Sequence, residues 1–255
     1  MELTASASKA LQAKYELPQD AVNDAVSVAI STTLSKALRT KVLVQETEND
    51  IEFYAMRCGQ HENDPVVHIT QNGLTKKLMR HLRYNIEKEL HLRKVISDHE
   101  KYRSLQSQLA WGSVAGISAD GTLKISIDIE KQFGRDELFA TCPLRLQPPH
   151  ERGRYRIDDG KYFLVSSVRP VFVRGIPRLE ILVGRTSPKL VERLLNKKIA
   201  QKSIGLASEI NPLSCKKRIA GAYSEVHASQ RIAKEIIQWV SRELREQLIV
   251  KFERR

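Results

Sequence analysis

Between Gln19 and Leu38 the apolar residues Val22, Ala25, Val26, Ala29, Ile30 and Leu34 recur at steps of three and four. That spacing predicts a helix with one buried face, because such positions share a side of the 3.6-residue turn. Pro18 suits the first turn, where a missing N–H costs no hydrogen bond. A shorter helix is predicted upstream, over Ala5 to Tyr15. KVLVQ (41–45) and IEFYAMRC (51–58) alternate or cluster as strands do around the polar turn ETEND, and PVVHIT (65–70) reads as a third strand. After Gly73 the helical period returns over Leu74 to Gln106. Leu78, Leu82, Ile86 and Leu90 form its stripe, and Lys76, Lys77, Arg80, Arg83, Arg93 and Lys94 occupy the other faces.

From Leu109 the texture changes. WGSVAGI, TLKISIDI, ELFATCPL, KYFLVSSVRP and RLEILVG are short strand candidates punctuated by Asp120-Gly121, Pro148-Pro149, Asp159-Gly160 and Gly175. Five short strands with turns between them predict a small barrel, with the OB arrangement leading. Past Gly184, Ser187 reads as a helix cap and Pro188 as the first helical residue. The last part reads as a strand in CKKRIAGAY, an amphipathic helix over Ser229 to Gln247 (stripe Ile232, Ile236, Ile237, Val240, Leu244) and a final strand, Leu248 to Phe252. The chain is therefore expected to be α+β and multidomain: a head at 1–106, a barrel at 107–186 and a small α/β unit at 187–255.

Charge sharpens this division. The chain carries 42 Lys and Arg against 30 Asp and Glu, a net charge of +12. Residues 1–73 hold 6 basic and 10 acidic side chains, whereas residues 185–255 hold 16 and 7. An acidic head and a basic tail suit a polyanionic partner for the tail, with solvated helix faces as the plain alternative. Cys58, Cys142 and Cys215 are far apart and form no Cys-x-x-Cys, so neither a zinc framework nor a disulfide scaffold is expected, and a reducing cytoplasm is the default. No membrane span, cofactor or metal set is expected. His61 and His68 lack a third ligand, and Asp158-Asp159 beside Gly160 reads as turn chemistry. Without a nucleophile motif or a phosphate loop, no enzyme is expected.

On a helical wheel from Pro188, Leu190, Val191, Leu194 and Leu195 spread over roughly 100–240°, while Lys189, Arg193 and Lys197 fall at roughly 0–80°. A buried face thus runs beside a cationic ladder. Arg169 and Arg174 lie just upstream and Lys198 just beyond. With Arg185, Lys216, Lys217 and Arg218 of the same basic half, these are the candidate contacts for a polyanion.

FLVSSVRP followed by LEILVGRTSPKLVERLL resembles the end of the S1-type OB domain in the NusA family of transcription elongation and termination factors. CPLRLQPPHERGRYRIDDGKYF is similar to that family's segment leading to a Pro-Gly-Asp turn, with Asp158-Asp159-Gly160 in its place. WGSVAGI resembles the barrel's opening strand, and YELPQDAVNDAVSVAISTTLSKAL the family's leucine-proline and helix pattern. The family's barrel is followed by two KH domains with Gly-x-x-Gly loops. Here no glycine follows Gly221, so one truncated or degenerate KH-like unit is expected. The resemblance implies a non-catalytic, RNA-binding transcription factor. Residues 1–105 would dock on RNA polymerase, with Val22, Val26, Ile30 and Leu34 as the docking stripe. The barrel and the unit after it would meet single-stranded RNA, and other transcription or antitermination factors would be further partners. A ribosome- or translation-associated RNA-binding adaptor is the alternative.

Overall fold

The computed structural model describes residues 5–46, 51–56, 67–69, 73–128, 138–202 and 213–252. They fall into two compact units: Met1–Lys101 with Pro170–Leu179, and Tyr102–Arg169 with Glu180–Arg255.

In the first unit, α1 (Ala5–Tyr15) and α2 (Gln19–Leu38) lie where the periodicity places them. β1 (Lys41–Glu46), β2 (Ile51–Met56) and β3 (Val67–Ile69) form an antiparallel meander in that order. The long helix, α3 (Lys76–Tyr102), ends short of Gln106, and Arg103–Leu105 continues as a 3-10 turn. Val22, Ala25, Val26, Ala29, Ile30 and Leu34 of α2 pack with Leu82, Ile86 and Leu90 of α3, Val42 and Phe53 of the sheet, and Leu11 and Tyr15 of α1. Thr33 donates to the Ala29 carbonyl at 2.6 Å and accepts from Asn85 Nδ2 at 2.8 Å, which ties α2 to α3.

This packing corrects one expectation. Val22, Val26, Ile30 and Leu34 are all buried, so they are not a docking surface. A 3.6-residue apolar period says that a face is covered, not what covers it; here α3 and the sheet of the same unit do.

The second unit opens with β4 (Leu109–Ile117), β5 (Leu123–Asp128), β6 (Leu138–Cys142), β7 (Gly160–Val173) and β8 (Ile176–Gly184). They close into a barrel in the order β4-β5-β6-β8-β7. β7 pairs antiparallel with β4, and β6 meets β8 in parallel at Thr141 and Leu182. Counted along the chain this is the order 1-2-3-5-4, the OB arrangement expected from the strand spacing. Strand alternation sends Val114, Leu123, Ile125, Ile127, Ala140 and Phe163 into the buried interior and leaves Trp111, Lys124 and Phe139 outside. The Asp158-Asp159 turn is built as expected: Asp158 takes a left-handed φ of 68°, and Asp159 Oδ2 accepts the Arg156 N–H at 2.9 Å.

α4 (Pro188–Lys202) starts at Pro188 and buries Leu190, Val191, Leu194 and Leu195, as the wheel predicts. Then come β9 (Leu213–Ile219), β10 (Tyr223–Ala228), α5 (Lys234–Leu244) and β11 (Gln247–Phe252). The sheet order is β11-β10-β9, with β10 parallel to β11 and antiparallel to β9. CKKRIAGAY is thus one strand, a turn at Gly221 and the start of a second strand. α5 begins at Lys234 rather than Ser229. Leu164 of the barrel joins the α4–α5 cluster of Val191, Leu195, Val226, Val240 and Leu244, so barrel and C-terminal layer share one core.

Candidate nucleic-acid interface

Arg185, at the junction of β8 and α4, is fully buried. Its Nε donates to Glu151 Oε2 at 2.9 Å and Nη2 to Glu151 Oε1 at 3.1 Å, a bidentate pair. Nη1 donates to the Tyr162 carbonyl at 2.6 Å and to Glu243 Oε1 at 3.0 Å, and Nη2 also to the Glu243 carbonyl at 2.9 Å. A guanidinium has five N–H donors, and each has its acceptor here. Burial opposes ionisation of Glu151, yet the Arg185 charge and the Tyr155 hydroxyl hold its carboxyl below the ordinary value. Burial, with Glu151 beside it, drives the Tyr155 phenol up. Arg185 therefore joins barrel to α5 and has no donor left for a phosphate. Its assignment as an RNA contact is corrected on that ground.

Arg218 is corrected as well, because its side chain is turned inward onto a carboxylate of the protein itself. It is almost completely buried, with Nε 3.0 Å from Glu246 Oε1 and Nη1 on the Ser187 carbonyl. Glu246 also accepts from Ser224 Oγ at 2.8 Å and from the Gly221 N–H at 3.0 Å. Gly221 has φ +89°, and a Cβ there would lie 2.1 Å from His150 Nδ1, so only glycine fits this turn. A basic sequence count cannot distinguish cations that face solvent from cations that neutralise the protein's own buried carboxylates.

The other candidates are at the surface. Lys189 and Arg193 are exposed on α4, four residues apart on one face, and neither is ion-paired among the described residues. Lys216 and Lys217 are exposed on β9, with the Lys217 ammonium 5.6 Å from the Tyr223 ring centroid. Arg169 is exposed but bridged to Glu180 at 2.8 Å. Arg174 sits in the tight turn between β7 and β8 with φ 53°, and its segment belongs to the first compact unit.

Lys197 and Lys198 lie against aromatic rings rather than carboxylates. Lys197 Nζ is 4.5 Å from the Tyr162 centroid and Lys198 Nζ 4.1 Å from that of Trp239. The rings themselves form a file: Trp111 to Tyr162 at 4.7 Å, and Tyr162 to Trp239 at 5.9 Å, both edge-on. Trp111 is 41% exposed. A Cβ on Gly160 would come within 2.6 Å of Trp111 Cζ2, so the missing side chain is what seats the indole. Phe139, elsewhere on the barrel's outer face, is 42% exposed beneath the Lys124 ammonium at 3.7 Å. Sequence reasoning passed over these rings. The available signal was Trp111 at an outward position of an alternating strand, where a large apolar side chain has no core to fill.

Burial pushes the Cys142 thiol up to about 12 and the Cys215 thiol to about 11, so both stay protonated; Cys58 lies outside the described residues. No group of three His, Cys, Asp or Glu side chains among the described residues is arranged to hold a metal, and His61 lies outside them. No helix among them is long and apolar enough to cross a membrane. No family model and no curated protein matches the chain.

Proposed function

We propose that this chain is a NusA-like, non-catalytic RNA-binding transcription factor of the cytoplasm, which associates with RNA polymerase and modulates pausing, termination or antitermination. The observation that carries the RNA part is the cationic face of α4. Lys189 and Arg193 stand exposed, with no ion pair among the described residues, on the helix that leaves an OB-ordered barrel. Uncompensated cations at fixed spacing attract phosphates, and OB barrels present such neighbourhoods to single strands. The acidic head suits a protein partner. The polymerase contact belongs to the head's exposed surface, since its apolar stripe is spent on its own core.

Binding of a labelled single-stranded RNA across a salt series tests this. Each neutralised phosphate contributes a slope of roughly −0.7 in log K against log salt, so Lys189→Ala with Arg193→Ala should flatten it by about 1.4. A salt-independent response would refute RNA binding. Crosslinking the full chain to a paused elongation complex tests the polymerase contact. Co-sedimentation with ribosomes in place of polymerase would favour the translation-associated adaptor.

A further inference from the structure

We infer that the aromatic file at the seam between barrel and C-terminal layer is a base-stacking site for single-stranded RNA, with the exposed Trp111 taking a base, Tyr162 and Trp239 backing it, and Lys197 and Lys198 taking the adjoining phosphates. This deepens the RNA-binding reading above and rests on it.

Three features carry the inference. The rings come from three elements, β4, β7 and α5, and Tyr162 stands edge-on to both indoles, which fixes their spacing. They are the chain's two tryptophans, and neither is fully buried. The charges at the seam are also unusual. Lys161, Lys202 and Lys251 are each paired with a carboxylate, whereas Lys197 and Lys198 rest on ring faces, Lys198 also donating to the neutral Gln201 Oε1 at 2.9 Å, and form no ion pair among the described residues. An ammonium held by a ring quadrupole keeps its full charge available to a phosphate. Glu243, the carboxylate that bonds the Tyr162 N–H here, is neutralised by Arg185.

The seam also has a direction. The file leads from Trp111 of β4 through Tyr162 to Trp239 of α5, with Lys197 and Lys198 of α4 along it. A strand stacked on Trp111 therefore runs toward α4 and α5 and onto the C-terminal layer. That layer has no glycine after Gly221 from which a backbone clamp could be built, so stacking takes the place of clamping. Base–aromatic stacking tolerates any sequence because every base has a π-face.

The test is titration of the full chain with an oligouridylate of about 12 nucleotides, within the site sizes of single-strand binders. Tryptophan emission and the anisotropy of end-labelled RNA are followed together. Quenching should saturate at the anisotropy midpoint. Trp111→Ala should weaken binding between about 5- and 150-fold, while Trp111→Phe and Trp239→Phe, which keep a ring, should retain most of it. Lys197→Ala with Lys198→Ala should flatten the salt slope by about 1.4. Full binding by anisotropy with unchanged emission and a wild-type midpoint for Trp111→Ala would overturn the seam while leaving RNA binding intact. Equal quenching by polyphosphate, which has no bases, would also overturn it. No binding by anisotropy even at low salt would remove the RNA reading itself.

Discussion

Replacing Arg185 by alanine removes five donors from a buried site, takes the printed counter-charge from the half-buried Glu243, and leaves Glu151 with Lys161, 3.4 Å away, as its cation. Breaking a buried pair by removing one partner costs about 3–5 kcal/mol, because an uncompensated charge stays behind. At about 2–4 °C per kcal/mol for a unit of this size, the melting temperature should fall by about 6–20 °C. The pH dependence is the sharper signature. In the wild type the folded pKa of Glu151 lies below its ordinary value, so its stabilisation is present above the unfolded pKa, about 4.3. It is lost as pH falls through the lower, folded value. Without Arg185, burial, the largest influence on this carboxyl, is opposed only by the Tyr155 hydroxyl and Lys161, and the folded pKa rises. The resulting penalty is absent at low pH and grows as pH rises through and beyond about 4.3. The gap between variant and wild type should therefore widen from pH 4.5 to pH 7. Both tryptophans lie in this unit, so urea melts followed by indole emission report it selectively. Arg185→Lys, with three donors for five acceptors, should fall between wild type and alanine. A variant within about 1 kcal/mol of wild type at pH 7, or a gap that does not change with pH, would refute the buried-pair account.

Leu34→Ala should cost the first unit about 2–5 kcal/mol, because Leu34 is fully buried in its core. Its melt by circular dichroism should shift while the tryptophan transition of the second unit holds, and an equal shift in both would be inconsistent with two separate units. Gly160→Ala should cost about 1–3 kcal/mol by overpacking and shift the emission of the displaced Trp111; unchanged emission would mean that the indole is seated otherwise. Cys142 should resist alkylation at pH 8 in the native state and react on unfolding, since burial pushes its thiol up to about 12 and so keeps it protonated at that pH. Site-resolved mass spectrometry reads this, and rapid native labelling would contradict the buried thiol.

Much of the architecture was legible in the chain. Helices α1 and α2 start and stop where period and proline place them, and all five barrel strands overlap their candidate runs, with β4, β7 and β8 extending one to three residues past them. Local physics suffices there: an apolar period fixes the element, and glycine, proline and aspartate fix its ends. The second strand of the C-terminal sheet, Tyr223–Ala228, was not legible. Its sequence YSEVHA mixes polar residues into the alternation, and pairing on both sides by β9 and β11 makes it a strand. The start of α5 at Lys234 was likewise missed, since Ile232 continues the apolar stripe in sequence without being helical.

For the site, the wheel of α4 placed its buried face and its exposed Lys189 and Arg193 correctly, because both follow from the angle between successive residues. Composition could count basic residues but could not allot them. Arg185, Arg218, Lys189 and Arg193 carry the same charge, and only the long-range approach of Glu151, Glu243 and Glu246 decides which are consumed internally. The same holds for apolar stripes: Val22, Val26, Ile30 and Leu34 announced a covered face, and α3 covered it. By itself, then, the sequence determined the helices, most strands, the barrel's strand count and the acidic-to-basic polarity. These depend on neighbours within a few residues or on sums over a segment. Tertiary structure alone decided that Trp111, Tyr162 and Trp239, distant in the chain, form one file of rings beside Lys197 and Lys198. It also decided that two arginines of the basic half are structural, because side-chain partnership across dozens of residues is fixed by how elements pack and not by any local pattern.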